Sequence, residues 1–194
     1  DVLGSRGLGD VYKRQIIDAL PTEHTVQSTI VYMYAYTLYL FFDFAGYSSF
    51  AVGTSYILGI KVGENFNKPF LAKNMKEFWE RWHISLSQWF GDYIFKRFVL
   101  NTMRKKIFKS RKTAGRAGNV VTMLVMGIWH GPYLFYILYG LYEGLALVIT
   151  DIYLKSKFYR RLKKGPLFDW ISRIVCFHVA ALGMLLFSGY LLSI

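Results

Sequence analysis

Residues 119–138 read NVVTMLVMGIWHGPYLFYIL, an apolar run that a single histidine, His130, interrupts. An ionisable side chain in such surroundings costs free energy unless it is hydrogen-bonded or lines a wet cavity. His130 is therefore either a core histidine held by hydrogen bonds or a functional residue. The Gly131-Pro132 step after it predicts a break in the helix, because proline disfavours helical backbone in the residue before it.

The composition of the chain indicates a membrane protein. Of its 194 residues, 54% are hydrophobic and 19% aromatic, and 24 lysines and arginines against 12 acidic residues give a net charge of +12. The apolar residues form long blocks and the basic residues fill the gaps, which favours an all-α, polytopic transmembrane protein over a nucleic-acid-binding domain. We expect a multi-pass protein of the cell membrane with no nucleic-acid partner.

Residues 1–15, DVLGSRGLGDVYKRQ, differ from the rest of the chain. They are rich in glycine and charge, show no amphipathic period, and are typical of translated linker sequence. We interpret residues 1–15 as a non-native linker. Residues 16–194 are expected to be the C-terminal part of a single membrane domain whose true start is missing.

Long apolar segments predict helices near both ends of the chain. Residues 25–42 approach the ~20 residues that cross a bilayer and predict a transmembrane helix. Residues 43–60 follow with many small residues, which let helices approach closely in lipid. Residues 61–73 contain the proline, glycine and asparagine of a loop, and residues 170–192 predict a final transmembrane helix.

Residues 74–90 predict one amphipathic interfacial helix, too charged to span lipid. Asn74 is a plausible N-cap with Glu77 three residues on. His83 lies at the border of the apolar stripe, where a histidine is either an ordinary surface residue or a second site residue. Gly91 is expected to end the pattern. The stripe recurs at about 100° per residue and contains Met75, Phe78, Trp79, Trp82, Leu86, Trp89 and Phe90.

Two basic blocks, residues 104–116 and 155–164, predict the topology. Short basic loops beside membrane segments are normally cytoplasmic. If both blocks lie on that face, residues 119–150 must cross an even number of times, although this stretch is too short for two ordinary spans. We therefore predict two short, broken helices that meet within the membrane, with His130 near the bend.

The histidines show no metal-binding pattern. None has a histidine partner four residues away or an acidic or cysteine neighbour at ligand spacing, so we expect no metal and no bound cofactor. What remains is a pair of Trp-His steps, at His83 and His130. Imidazole is the usual general base near neutral pH and could accept the proton of an attacking hydroxyl during acyl transfer.

Four motifs resemble the membrane-bound O-acyltransferase family: DFAGYS at 43–48, NFNKPF at 65–70, FWERWHISLSQWF at 78–90 and MGIWHG at 126–131. The resemblance implies a polytopic helical fold in which His130 is the catalytic histidine and His83 the second family histidine. Residues 42–189 are most similar to the branch that transfers D-alanine. This implies a donor carried on the phosphopantetheine thioester of an acidic carrier protein and a teichoic acid acceptor. It also implies that an N-terminal portion of comparable size is absent here.

If a carrier protein is the donor, the first basic block is its expected docking site. Apolar Val99, Leu100 and Met103 adjoin Arg104, Lys105 and Lys106, a combination suited to an acidic helix that buries a few apolar side chains within a charged rim. The alternative is a membrane-surface anchor that binds anionic lipid.

Other functions remain open on the sequence alone. The nearest is a different O-acyltransferase of the same family, of the alginate O-acetylating type. From another class, the chain could be a non-enzymatic transport module in which the histidines relay protons. A plain membrane scaffold would tolerate replacement of both histidines.

Overall fold

A computed structural model of the chain describes residues 25–192, so the interpretation of residues 1–15 lies outside the described part. These residues form helices and no sheet, which confirms the all-α prediction. The helices are α1 (Val26–Ile57), α2 (Met75–Trp79), α3 (Ile84–Phe90), α4 (Lys96–Arg104), α5 (Arg111–His130), α6 (Leu134–Lys155), α7 (Lys157–Arg161) and α8 (Pro166–Phe187). A π-helical turn, Gly91–Phe95, joins α3 to α4, and 3₁₀ turns lie at Pro69–Leu71 and Tyr190–Leu192.

Helix α1 is one helix of 32 residues that runs through both of the segments distinguished in the sequence. Thr25 caps it, since its hydroxyl accepts a hydrogen bond from the backbone N–H of Ser28 at 3.2 Å. The helix packs on α8 through Met33, which lies with Ala181 and Leu185 in a small apolar cluster. Much of its C-terminal half is exposed.

Helices α5 and α6 form an antiparallel hairpin whose tip is the Gly131-Pro132 step. The predicted bend at His130 is confirmed, but the prediction of two short helices is wrong. Ser110 caps α5 by accepting from the N–H of Thr113 at 3.1 Å, so the helix begins inside the basic block. The two helices have 20 and 22 residues, or about 30 Å each. The first basic block is therefore partly helical. Its long basic side chains can still reach water from the end of α5.

The hairpin is close-packed because glycines face the partner helix. A Cβ atom added at Gly140 would lie 2.4 Å from the carbonyl oxygen of Met123, and one at Gly127 would lie 2.3 Å from that of Tyr136. The backbones therefore touch, as small residues permit in membrane helices. At the other end, Arg116 Nε donates to Asp151 at 2.8 Å. The start of α5 and the end of α6, with their basic residues, lie together at this end.

The single amphipathic helix predicted for residues 74–90 is wrong, because the structure breaks it into α2 and α3. Asn74 caps α2 as predicted, accepting from the N–H of Glu77 at 3.0 Å. The helix ends at Trp79, however, and His83 has left-handed backbone angles, φ 47° and ψ 55°. Trp82 instead forms an isolated antiparallel bridge with Phe66.

The burial pattern of residues 74–90 follows the prediction more closely than the helix bounds do. Trp79, Trp82 and Phe90 are buried with Met75 and Phe78, whereas Trp89 is 51% exposed. Gly91 does not end the helix, since the π-helical turn continues it into α4. Residues 84–104 thus form one helical rod that packs against α5.

The core forms where α2 inserts between α6 and α8. Its fully buried side chains include Phe78, Met126 and Met184. Within the described residues, α6 and α8 are the two helices long and apolar enough to cross a membrane. Helix α8 begins at Pro166 and ends at Phe187, so the predicted final helix is confirmed with a shift towards the N-terminus.

Candidate active site

His130 is the last residue of α5, at the tip of the hairpin. Gly131 follows with φ 154°, a backbone conformation that favours glycine. A Cβ atom at Gly131 would lie 3.1 Å from the ring of Tyr136, so the turn is also tight. The turn therefore places the imidazole of His130 over the first residues of α6.

Aromatic rings form the surroundings of His130. Its ring centroid lies 4.9 Å from that of Trp129, 5.7 Å from Tyr136 and 4.9 Å from Phe187, with Tyr139 at 6.5 Å. The ring of His130 is half-buried among them. A histidine in this position has an apolar wall on one side and stays reachable on the other, as a general base must.

A loop around Asn65 holds His83 in its left-handed conformation. The N–H of Ile84 donates to the Asn65 carbonyl at 3.0 Å, and the N–H of Asn67 donates to the Arg81 carbonyl at 3.0 Å. The side-chain Oδ1 of Asn65 also accepts from the Ser85 N–H at 3.1 Å and from its hydroxyl at 2.6 Å. Asn65 thus caps α3 from another segment, a role that sequence reasoning missed.

The ring of His83 stands edge-on to Phe44, with centroids 4.5 Å apart. Its Nδ1 is buried without a hydrogen-bond partner among the described residues. Burial of the ring, with a smaller contribution from the nearby His130, lowers the pKa of His83 to about 4. His83 is therefore neutral at physiological pH, and the two predicted histidines lie within electrostatic reach of each other.

A cleft of about 850 Å³ runs beside α5. Apolar side chains, among them Trp79, Phe90 and Met126, line its inner part. Its lining extends along α5 from Arg111 to Met126, about 22 Å at ~1.5 Å per residue. The cleft thus leads from the basic end of the hairpin to one helical turn from His130. Its charged rim contains Lys76, Glu80, Arg111, Lys112, Arg116, Asp151 and Lys155.

A model of the membrane-bound O-acyltransferase family matches residues 10–189. The chain belongs to the membrane-bound O-acyltransferase family. This confirms the resemblance inferred from the motifs, and both Trp-His steps lie within the matched residues.

Three relatives illustrate the match. The chain is 45% identical over 169 residues to the teichoic acid D-alanyltransferase of Bacillus subtilis, which covers 87% of this chain and 43% of that protein. It is 44% identical over 167 residues to the teichoic acid D-alanyltransferase of Lacticaseibacillus rhamnosus, covering 82% and 40%. With the "Probable alginate O-acetylase" of Pseudomonas putida it shares 41% identity over 115 residues, covering 59% and 22%. The chain spans less than half the length of these relatives.

The residues predicted to bind a carrier lie at the end of α4, and they do not all face solvent. Leu100 is 67% exposed, whereas Val99 is 8% exposed and packs against α5 at Gly118. Met103 is half-buried. At the end of α4, the exposed apolar residues are Leu100 and Ile107, and the exposed basic residues are Arg104, Lys105 and Lys106.

Glu143 is a buried polar residue that sequence reasoning missed. Its exposed fraction is 0%, and its Oε2 accepts a hydrogen bond from the indole Nε1 of Trp79 at 3.1 Å. The signal was present, because Glu143 is the one charged residue in the apolar run 134–150, and the rule that singled out His130 applies to it equally.

The remaining titratable groups lack a ligand-like arrangement. In residues 25–192, no group of three or more His, Cys, Asp or Glu side chains is placed to hold a metal ion. His178 is exposed, and its Nδ1 lies 2.7 Å from the backbone oxygen of Ile174 in the preceding turn. Cys176 is a buried free thiol.

Proposed function

We propose that this chain is the C-terminal part of a multi-pass membrane enzyme that transfers D-alanine from a carrier-protein thioester to hydroxyl groups of teichoic acid. The observation that supports this most is the position of His130 among aromatic rings at the hairpin tip, with His83 within electrostatic reach of it. The relatives named teichoic acid D-alanyltransferase match more of the chain than the alginate O-acetylase does. This difference favours D-alanyl transfer over acetyl transfer.

In the proposed reaction, His130 acts as the general base. It accepts the proton of the acceptor hydroxyl while the oxygen attacks the thioester carbonyl carbon. The new C–O ester bond forms, the C–S bond breaks, and the proton passes from His130 to the departing thiol. A thioester is an activated acyl donor, so base catalysis and correct placement of the two substrates supply the chemistry.

His83 supports this base. A neutral imidazole beside His130 places no second positive charge there when His130 takes up the proton. With its Nδ1 free of other partners in the described part of the chain, His83 is available to hydrogen-bond the thioester or His130. It therefore positions the reacting groups rather than removing the proton itself.

The donor is proposed to enter from the basic end of the hairpin. The first basic block binds the acidic carrier, and the cleft takes its slender phosphopantetheine arm. The rim at Arg111 and Lys112 suits the phosphate of the arm, and the apolar inner part suits the chain that follows. The arm would then deliver its thioester to the neighbourhood of His130.

The same geometry supports one orientation in the membrane. The basic ends of α5 and α6 are proposed to face the cytoplasm, as basic segments beside membrane helices generally do. Helix α6, which is apolar enough to cross a membrane, is about as long as the ~30 Å hydrocarbon core is thick, and α5 packs antiparallel beside it. His130 at the tip then lies towards the opposite face, where teichoic acid is found, so each substrate reaches the site from its own side.

The test uses the full-length protein in vesicles with D-alanyl-loaded carrier and teichoic acid. His130→Ala is expected to lower the transfer rate by about 10²- to 10⁴-fold, the usual contribution of a general base. His178→Ala, at an exposed histidine of α8, is the matched control and is expected to keep the wild-type rate. Near-normal transfer by His130→Ala would refute the assignment. A severe loss in His83→Ala with a mild one in His130→Ala would reverse the two roles.

A further inference from the structure

Glu143 and Trp79 form a buried polar link between two parts of the site. Glu143 lies in α6, on the hairpin that carries His130, and Trp79 ends α2, one turn before His83. Their hydrogen bond, Nε1 to Oε2, is 3.1 Å long and buried. No other hydrogen bond to the Glu143 carboxyl group is found in the described residues, and its Oε1 is buried without a partner.

The segment that follows Trp79 packs back on the same helix, α2. Phe78 stacks on Trp82 with ring centroids 5.6 Å apart and planes 18° from parallel. Trp82 in turn bridges to Phe66, beside the loop that holds the backbone of His83. A contact that holds Trp79 in place therefore also holds the turn that contains His83.

Helix α8 is shaped around the Glu143 carboxyl group. A Cβ atom at Gly183 would lie 2.2 Å from Glu143 Oε1, so a larger residue there would force the carboxyl group to shift. The space could have held an apolar side chain at much lower desolvation cost. A hydrogen bond differs from apolar packing in being directional, so it fixes the rotation of the indole ring and of α2.

We infer that Glu143 is a positioning residue: through its hydrogen bond to Trp79 it holds the His83 segment against the hairpin and so sets the placement of His83 beside His130. This role rests on the proposed function. Glu143 itself stays away from the reacting atoms, because it lies inside the bundle more than two turns along α6 from the hairpin tip.

The first set of variants distinguishes the effect of the Trp79–Glu143 hydrogen bond from that of a charge on Glu143. Glu143→Gln keeps an acceptor oxygen for Trp79 and is expected to keep kcat close to that of the wild type. Glu143→Leu removes the acceptor and is expected to lower kcat by roughly 10- to 100-fold, the effect of a displacement near 1 Å. The KM for the loaded carrier should stay unchanged, since the basic block is untouched. If Glu143→Leu does not accumulate, Trp79→Phe takes its place for the comparison of kcat, but not of KM, because Trp79 also lines the cleft.

The second set separates positioning from stability. In Trp79→Phe/Glu143→Leu no buried donor or acceptor of this pair is left unsatisfied, so the protein should be more stable than Glu143→Leu alone. Its kcat is expected to stay low, because nothing orients α2. Tyr142→Phe is the matched control: it removes the hydrogen bond from Tyr142 to the Val179 carbonyl, 2.8 Å long, which joins α6 to α8 without reaching α2. This variant should keep kcat.

A readout independent of transfer completes the experiment. The rate at which diethyl pyrocarbonate modifies His83, followed by mass spectrometry, is expected to rise in Glu143→Leu and Trp79→Phe and to stay unchanged in Glu143→Gln and Tyr142→Phe. Unchanged modification in Glu143→Leu, wild-type kcat in the double variant, or an equal loss of kcat in Tyr142→Phe would each overturn the inference. If the wild-type protein transfers no D-alanine, the proposed function fails and the modification rates alone decide the placement role.

Discussion

His83 combines two unusual features at the scale of a single residue. Its backbone is left-handed, with φ 47°, and its half-buried ring has a pKa lowered to about 4 by burial and by His130. Asparagine tolerates left-handed backbone better than most residues do. His83→Asn therefore removes the imidazole with little added backbone strain, and it isolates the titration of His83.

The lowered pKa of His83 predicts a loss of stability in acid. Between the usual histidine pKa of about 6.5 and the folded-state value of about 4, the unfolded chain binds a proton at His83 that the folded chain does not. Stability therefore falls as the pH is lowered through this window. In detergent, the Tm of the wild type should drop more steeply between pH 6.5 and pH 4 than that of His83→Asn. Equal slopes in the wild type and His83→Asn would contradict the prediction.

Sequence reasoning located His130 because a lone ionisable group in an apolar run stands out whatever the fold. It also placed the bend correctly, since the Gly131-Pro132 step is a local backbone property. The burial of Val99 could not be read from sequence, because it depends on which face of α4 meets Gly118. The hydrogen-bond partner of Glu143 could not be predicted either, because Trp79 lies far from it in the sequence.

At the scale of elements, the break between α2 and α3 shows why periodicity misled. Two short helices joined by a tight turn bury nearly the same side chains as one helix would. The apolar pattern of residues 74–90 therefore continues across residues 80–83, where the helix is broken. The break follows from pairing of Trp82 with Phe66 and from the Asn65 cap, which are contacts between distant segments. The sequence pattern of residues 74–90 cannot reveal contacts with Phe66 or Asn65, which lie outside this segment.

The α5–α6 hairpin depends on glycine at the contact, which gives a prediction for Gly140. A Cβ atom there would meet the Met123 carbonyl oxygen at 2.4 Å, and backbone atoms cannot step aside as side chains do. Gly140→Ala in the full-length protein should therefore separate the helices and lower the free energy of unfolding by about 1–3 kcal/mol, the usual range for overpacking.

Gly115 provides the matched control for this substitution on the partner helix. A Cβ atom at Gly115 meets nothing within 4 Å, so Gly115→Ala should be neutral or stabilise α5 by up to about 1 kcal/mol through helix propensity. Thermal unfolding in detergent compares the two variants. Similar Tm values for both would show that the hairpin is not close-packed at Gly140.

At the scale of the whole molecule, the basic residues and the candidate catalytic base lie at opposite ends of the hairpin. The basic residues gather where α5 begins and α6 ends, and His130 lies at the tip, about 30 Å away along α5. This separation suits a donor too large to enter the membrane domain, whose flexible arm alone reaches the site. In the proposed function, the basic end is a docking surface for the carrier as well as a topology signal.

The docking hypothesis predicts different effects from apolar and charged positions of this surface. Leu100→Asp should abolish carrier binding, because Leu100 is 67% exposed and is the apolar centre that a partner would bury. Asn101→Asp, on the next exposed residue, adds the same charge without removing an apolar contact and should weaken binding much less. Val99→Asp is unsuitable, since Val99 packs inside the protein.

Neutralising the exposed lysines near Leu100 should change the rate of carrier association rather than the apolar contact with the carrier. Lys105→Gln/Lys106→Gln is expected to slow association and to flatten its salt dependence, with little effect on dissociation, because exposed charges mainly steer the encounter. Association and dissociation rates of the loaded carrier with the detergent-purified protein, at low and high salt, measure both effects. If Leu100→Asp binds the carrier as the wild type does, the basic block acts on lipid alone and the donor enters at another surface. Equal losses from Leu100→Asp and Asn101→Asp would instead mean that charge, and no apolar contact, holds the carrier.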